Sequence, residues 1–434
     1  MGSEGLFAED SFLYLELANN FIRHGDLLKE VGASGALLPE TERMPLYIIW
    51  LAIHQFITGD QLPLFPILTQ GLLDSLACVL IAMTAKQINT RLFLPAGLLA
   101  AFNPSQVIIG GLILTDSLFF FFVCLMFYAS IRWLYQPNYR WALLLGLSLA
   151  LGISTRAMLL PGMLAIIVLL PTATIILRRF KLSQLGHMAI ILSLSIALQA
   201  PILARNMILY NSVQLTSQTG THLLLWVAPL VLEAADGTPH AEGAKLMDSK
   251  FKDHTGTYDH QNPYERSNLM SSTAWSSISE IGIAQATKSW LIGGAINIFS
   301  PAVLLSPPVR NLPRTGFFDT KGESKIGKVF TFLFHNDHPT YANILMITLI
   351  LVILARILQL IGVSQGVCNR NSRETQIIHI LFILWILYIL IIHGPVASPK
   401  YRLPIEPIFS IWAALPLISI LGRIKSLALK RLIQ

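Results

Sequence analysis

The sequence predicts an all-α polytopic membrane protein: a transmembrane bundle with extracytoplasmic loops and interfacial helices. Three observations carry that expectation. Of 434 residues, 53% are hydrophobic and only 13% charged, with a mean hydropathy of +0.60. Several apolar runs reach the ~20 residues that a bilayer-spanning helix needs. The basic residues are also unevenly placed. Lys86, Arg91, Arg132, Arg140, Arg178, Arg179, Lys181, Arg370, Arg373 and the tail residues Arg423, Lys425, Lys430 and Arg431 fall in loops that one alternation of spans puts on a single side, with Glu374 as their only acid. Positive residues collect in cytoplasmic loops, so that side is inside. The formal charge of +7 is thereby read as topology rather than as affinity for nucleic acid. Cys78 and Cys124 lie in apolar runs and Cys368 in an inside loop, so neither a disulfide framework nor a cysteine metal site is expected.

The chain divides by polarity. Residues 1–61 form an extracytoplasmic loop with an interfacial helix; 62–204 hold six spans; 205–340 form an extracytoplasmic insertion; 341–421 hold three more spans; 422–434 are a basic cytoplasmic tail. Residues 1–9 contain neither Lys nor Arg and no apolar core, yet Asp10 maps outside, so a preceding transmembrane helix is expected to be missing from this sequence. Asp10, Tyr14 and Ala18 recur every fourth residue and share one helical face, with the carboxylate at the N-terminal end. From Pro45 to Thr58 a stripe of Leu46, Ile49, Trp50, Ile53, Phe56 and Ile57 is too short to span and suits a helix lying along the membrane. Spans follow at 62–88, 92–110, 112–135, 141–154, 157–177 and 185–204. The short pair 141–154 and 157–177 is hinged at Ser154-Thr155-Arg156, and Gly146 and Gly152 are expected to permit close helix contact there. Residues 290–305 are apolar but contain Gly293, Gly294 and Pro301. The spans at 341–363, 376–393 and 404–421 must leave Arg370, Arg373 and the tail inside, so 290–305 is expected to stay on the outer face without crossing. The total is nine spans, with the N-terminus outside and the C-terminus inside.

The polar residues that carry chemistry lie on the outer side. Asp10 is placed to act as a general base toward an acceptor hydroxyl, with Glu9 as its rival; its plainer role is a helix cap. Asp116, in Leu114-Thr115-Asp116-Ser117, opens a span, and an ionisable group there lines a cavity or caps the helix. Arg43, Arg156, Arg205 and Arg402 all map to the outer face, where a phosphate would need cations and where arginines also snorkel. Lys400-Tyr401-Arg402-Leu403-Pro404 is the second basic candidate after Arg43. Asp74 falls inside a span with no legible partner. His240, His254 and His260, with Asp253 and Asp259, fit no zinc template, and His222 and His393 are weaker still, so no metal ligand is assigned.

The order acid-x-x-x-Tyr-x-x-x-Ala, then Arg-x-Pro, then Thr-Asp at a span start, then Thr-Arg-Ala, then Arg-Leu-Pro near the C-terminus resembles the membrane glycosyltransferases of the GT-C superfamily. It is most similar to the protein O-mannosyltransferases and the aminoarabinose–lipid A transferases. The resemblance runs from about residue 8 to 421, and order and topology rather than any one motif carry it. It implies a GT-C-like bundle with Asp10 as the catalytic aspartate, Asp116 as a second carboxylate of the site, and Arg43 on the lipid phosphate. Arg402 matches the basic residue before the final span, and Tyr14, Arg156, Arg205 and Glu9 are further site candidates. The implied reaction is inverting transfer of a sugar from a polyprenyl-phosphate donor to a lipid, glycan or protein hydroxyl. No cofactor is required, a divalent metal is compatible, and the implied location is a bacterial inner membrane with the site facing the periplasm. The rival readings are an O-antigen ligase or polymerase, which leaves the Asp10-to-Arg43 loop without a task, and a transporter, which would show repeated halves.

Overall fold

The structure, a computed structural model, describes residues 3–31, 35–59, 64–255, 262–313, 330–331, 334–335, 338–369 and 372–433. It begins with α1 (Glu9–His24). Ser11 accepts the Ala8 N–H and donates to the Ile113 carbonyl, which ties the helix start to residue 113. Gly25, at φ 71°, closes α1 in the left-handed conformation that glycine adopts without steric cost. An antiparallel hairpin follows, β1 (Leu28–Val31) and β2 (Ala36–Pro39), with Leu28 opposite Pro39. This small sheet is a local departure from the all-α expectation. Pro45 then opens α2 (Pro45–Thr58) at the position where its missing N–H costs nothing. Tyr14, Leu17 and Ala18 of α1 bury against Tyr47, Ile48 and Leu51 of α2. The apolar stripe expected on α2 is split: Ile53, Phe56 and Ile57 are exposed, whereas Leu46 and Trp50 pack against the α1–α2 core.

The bundle comprises α3 (Leu64–Ile88), α4 (Phe93–Ala101), α5 (Pro104–Gly110), α6 (Asp116–Tyr135), α7 (Tyr139–Thr155), α8 (Leu159–Ile176), α9 (Ser183–Ala197) and α10 (Ala200–Tyr210). Two of the expected spans are broken. The 92–110 segment bends by 49° between α4 and α5, where Pro104 cannot continue the hydrogen-bond ladder and the Asn103 side chain caps the Ser105 N–H instead. The 185–204 segment bends by 50° between α9 and α10, with Pro201 in the first turn of α10. A Cβ on Gly146 would meet Ile191 and Leu194 at 3.0–3.1 Å, so that glycine serves the approach of α7 to α9 rather than to α8. Gly152 faces α8, where a Cβ would lie 2.5 Å from Leu159.

Residues 218–281 build four helices around their own core: α11 (Gln218–His222), α12 (Ala228–Asp236), α13 (His240–Thr255) and α14 (Pro263–Ile281). A π-helical turn, Leu223–Val227, joins α11 to α12. Leu224, Val231, Met247, Phe251 and Met270 fill the centre. Next comes α15 (Ile283–Phe299), so the apolar 290–305 segment is the second half of a 17-residue helix followed by a short 3-10 turn. The chain ends with α16 (Pro339–Val367), α17 (Arg373–His393), a 3-10 turn over Pro399–Ile405, and α18 (Glu406–Ile433). Among the described residues six helices are long and apolar enough to cross a membrane, or eight counting each bent pair as one, and α7 is a shorter apolar helix. The main core gathers Phe119, Phe120, Val123 and Phe127 of α6 against Ala77 and Ile81 of α3, Leu145 and Leu149 of α7, and Trp412 of α18.

Candidate active site

Two distant parts of the chain converge on Asp10. Its Oδ1 lies 3.3 Å from the Arg43 guanidinium, and its Oδ2 lies 3.4 Å from the Lys400 Nζ. The Asp10 side chain is 38% exposed and the two cations 20% and 24%, so the cluster is open on one side. The carboxylate is not used as a cap, because Ala8 occupies the N-cap and Ser11 satisfies its N–H. The hairpin returns the chain beside the start of α1, which is how residues 10 and 43 meet. Lys400 arrives on the turn between α17 and α18.

A second ion pair stands behind the first. Asp116, in the first turn of α6, accepts from Arg156 at 2.7 Å, and the same guanidinium donates to Thr115 Oγ1 at 2.8 Å. Arg156 follows the last residue of α7, so this pair fixes the α7–α8 corner over the mouth of α6. Tyr14 sits between the two pairs. Burial pushes its phenol above the ordinary range; Arg43 and Arg156 pull it down, and Asp10 and Asp116 add to the rise. All five groups therefore share one electrostatic field. Arg43 lies over the Tyr14 ring at 5.9 Å. Burial works against the Arg43 charge, but Tyr14, Asp10, Glu42 and Glu40 outweigh it and hold the guanidinium above its usual value. The Arg43 Nε is buried without a hydrogen-bond partner.

Arg402, the second residue expected on the phosphate, and Arg205, a further site candidate, are both engaged elsewhere. Arg402, 2% exposed, donates to Glu406, to Ser105 Oγ and to the carbonyls of Asn297, Ile298 and Ser300. The C-terminal carbonyls of α15 lack intrahelical partners and attract such a donor. Arg356, from α16, caps the Ile298 carbonyl as well and approaches Glu406 at 3.8 Å. Arg402 is therefore a buried staple between α15 and α18, and Lys400 takes the position at the site. Arg205 donates to the Glu40 carbonyl at 2.8 Å and to Asn206, bracing the chain ahead of Arg43. The Glu9 side chain lies outside the described residues.

Lys400 lies in the basic motif that the sequence singles out, although Arg402 is the residue it favours there; Glu40 carries no signal in the sequence. The Lys-x-Arg pair pointed to the right turn, but which of the two faces the site is decided by packing. Asp74 accepts from Ser117 Oγ at 3.1 Å, one residue from Asp116, and touches Gly110 so closely that a Cβ there would lie 2.2 Å from its Oδ2. His222 lines the insertion side, with its imidazole pushed below the usual range by burial. The His240 ring lies tilted against Trp226, centroids 5.1 Å apart. The His254 side chain, Asp259 and His260 lie outside the described residues. Among the described residues no group of three His, Cys, Asp or Glu is placed to hold a metal ion. Asp10 is flanked by two cations rather than by further carboxylates, a poor donor set for a divalent ion.

Residues 10–209 match the family model of dolichyl-phosphate-mannose-protein mannosyltransferases, a segment that includes Asp10, Arg43, Asp116 and Arg156. Across 99% of this chain the fold aligns, at a TM-score of 0.53 and 10% identity, with the Archaeoglobus fulgidus oligosaccharyltransferase tethered to an acceptor peptide. The chain shares the fold of that archaeal membrane enzyme. The chain spans about half, 47%, of that archaeal protein. ArnT from Cupriavidus metallidurans aligns less closely. Its apo form gives a TM-score of 0.39 at 13% identity, over 95% of this chain and 74% of that one. The form bound to undecaprenyl phosphate gives 0.38 at 14%, over 94% and 73%. No curated protein matches the chain in sequence.

Proposed function

We propose that this chain is an inverting glycosyltransferase moving a sugar from a polyprenyl-phosphate donor to a hydroxyl acceptor. One observation carries the reading: a half-open carboxylate, Asp10, held between Arg43 and Lys400. A base beside two cations suits a reaction that takes a proton from one partner and releases a phosphate from the other. Asp10 accepts the proton of the attacking hydroxyl as its oxygen bonds to the anomeric carbon. The bond from that carbon to the phosphate oxygen breaks on the opposite face. Arg43 and Lys400 offset the charge of the departing phosphate monoester, and the unpartnered Arg43 Nε leaves a donor for it. Asp116 and Arg156 fix the floor of the site and orient the acceptor side.

The isoprenoid tail is assigned to the apolar groove between α6, α8 and α17, lined by Phe127, Leu134, Gly162, Ile166, Phe382 and Trp385. The exposed Ile53, Phe56 and Ile57 of α2 are left to rest against lipid. The family model's donor, dolichyl-phosphate mannose, makes a polyprenyl-phosphate mannose the first substrate to try. The distribution of basic loops supports a site on the extracytoplasmic face, the periplasmic one in a bacterium.

The test uses purified protein in liposomes with polyprenyl-phosphate mannose as donor and membrane extract as acceptor, reading release of polyprenyl phosphate. Asp10→Asn preserves size but takes no proton, so release should fall ~100-fold or more. Protein level and donor binding should stay near wild type. A transporter would release nothing even in the wild type, and an active Asp10→Asn enzyme would remove Asp10 as the base.

A further inference from the structure

Glu40 is 2% exposed, yet among the described residues no cation lies within ion-pair distance of its carboxylate. A buried acid without a counter-charge is costly to keep. Its Oε1 accepts two consecutive backbone N–H groups, from Glu42 at 2.6 Å and Arg43 at 2.9 Å. Charge-assisted bonds of this kind are short and strong, and more so where water does not compete. Two adjacent amides gathered on one oxygen fix the backbone of residues 41–43, and so the direction in which the Arg43 side chain leaves it.

The same turn is braced from three sides. The Glu40 N–H donates to the Leu27 carbonyl at 2.8 Å, extending the hairpin ladder. Arg205 of α10 donates to the Glu40 carbonyl. From the start of the insertion, Ser217 bonds Thr41 through both backbone and hydroxyl, each at 2.8 Å, and Thr221 donates to Glu42 at 3.3 Å. Nothing in this set reaches Asp10 directly; all of it acts through Arg43.

We propose that Glu40 is a positioning residue for the donor-phosphate site: its buried carboxylate sets the 41–43 turn so that Arg43 faces Asp10 and the departing phosphate. This rests on the reading of Arg43 as the phosphate ligand. A role through Arg43 predicts non-additivity, whereas a general structural role predicts independent losses. The experiment is a double-mutant cycle on the full chain in liposomes, with polyprenyl-phosphate mannose as donor and kcat and KM read separately. Arg43→Ala should lower kcat/KM by roughly 10–150-fold, the loss of one charge-assisted contact. Glu40→Ala should lower it at least tenfold, and the double variant should be no worse than Arg43→Ala within about twofold. Glu40→Gln should recover most of the rate, since its amide oxygen can accept the same two N–H groups. If Glu40→Ala does not fold, Glu40→Asp enters the cycle instead; it keeps the charge but draws the carboxylate back by one methylene. Losses that multiply, or a wild-type rate for the Glu40 variant, overturn the inference while leaving the phosphate reading intact. A wild-type rate for Arg43→Ala overturns that reading and the inference with it.

Discussion

At Lys400 and Arg402, two residues apart in one 3-10 turn, the side chains diverge. Lys400 reaches Asp10, whereas Arg402 turns inward to Glu406 and the end of α15. The two should fail differently. Lys400→Ala removes a cation from a half-open site, so turnover should fall roughly 10–150-fold with the thermal midpoint unchanged. Arg402→Gln removes the nearer of the two cations on the buried Glu406 carboxylate, leaving Arg356 at 3.8 Å. The loss is up to about 3–5 kcal/mol, so thermal stability should fall while the folded fraction keeps its donor KM. Kinetics and thermal melts of both variants in detergent decide it; a stable but inactive Arg402→Gln would return the phosphate to that residue. Asp10, Arg43, Asp116 and Arg156 were legible because each begins or ends an apolar segment, where charge is conspicuous. The choice between Lys400 and Arg402 was not legible, because it depends on α15 carbonyls about a hundred residues upstream in sequence.

Helix positions were readable from apolar runs, and the bends at Pro104 and Pro201 less so, because proline is tolerated in membrane helices and only packing shows whether it breaks one. The hairpin was missed for a related reason. Its strands are four residues each, too short to show an alternating pattern. Packing between elements yields a sharp expectation at Gly362. A Cβ there would lie 1.9 Å from the Trp412 carbonyl oxygen and 2.6 Å from its carbon, both backbone atoms that cannot rotate away. Gly362→Ala should therefore force α16 from α18 and destabilise the protein by ~1–3 kcal/mol or more. Gly422→Ala, with nothing within 4 Å, is the matched control and should leave the melting midpoint unmoved. Equal midpoints for the two variants would show that α16 and α18 are not in backbone contact at Gly362. The effect should extend to Arg356, which α16 carries toward Ile298 and Glu406.

For the whole molecule the decisive element is α15, because its path sets the sidedness of everything after residue 299. A helix crossing beside α17 would touch residues spread along the length of α17. Instead, Trp290 donates to the Ile391 carbonyl, Gly293 backs onto Pro395, and Asn297 donates to the Val396 carbonyl. Three contacts spread over about 10 Å of α15 thus fall on the last turn of α17 and the loop after it. The far end of α15 is held by Arg402 and Arg356, and its beginning packs on α12 and α14 of the insertion. This geometry matches a helix that leans in from the outer face and returns to it. Single cysteines in a variant lacking Cys78, Cys124 and Cys368 test the point in intact cells with a membrane-impermeant thiol reagent. Ser272→Cys, on exposed α14, and Asn311→Cys, beyond α15, should both label from outside, and Ser426→Cys in the basic tail should label only after permeabilisation. If Asn311→Cys is protected in intact cells while Ser272→Cys reacts, α15 crosses. The last three spans would then run in the opposite direction, and Lys400 would lie on the wrong side of the membrane to meet Asp10.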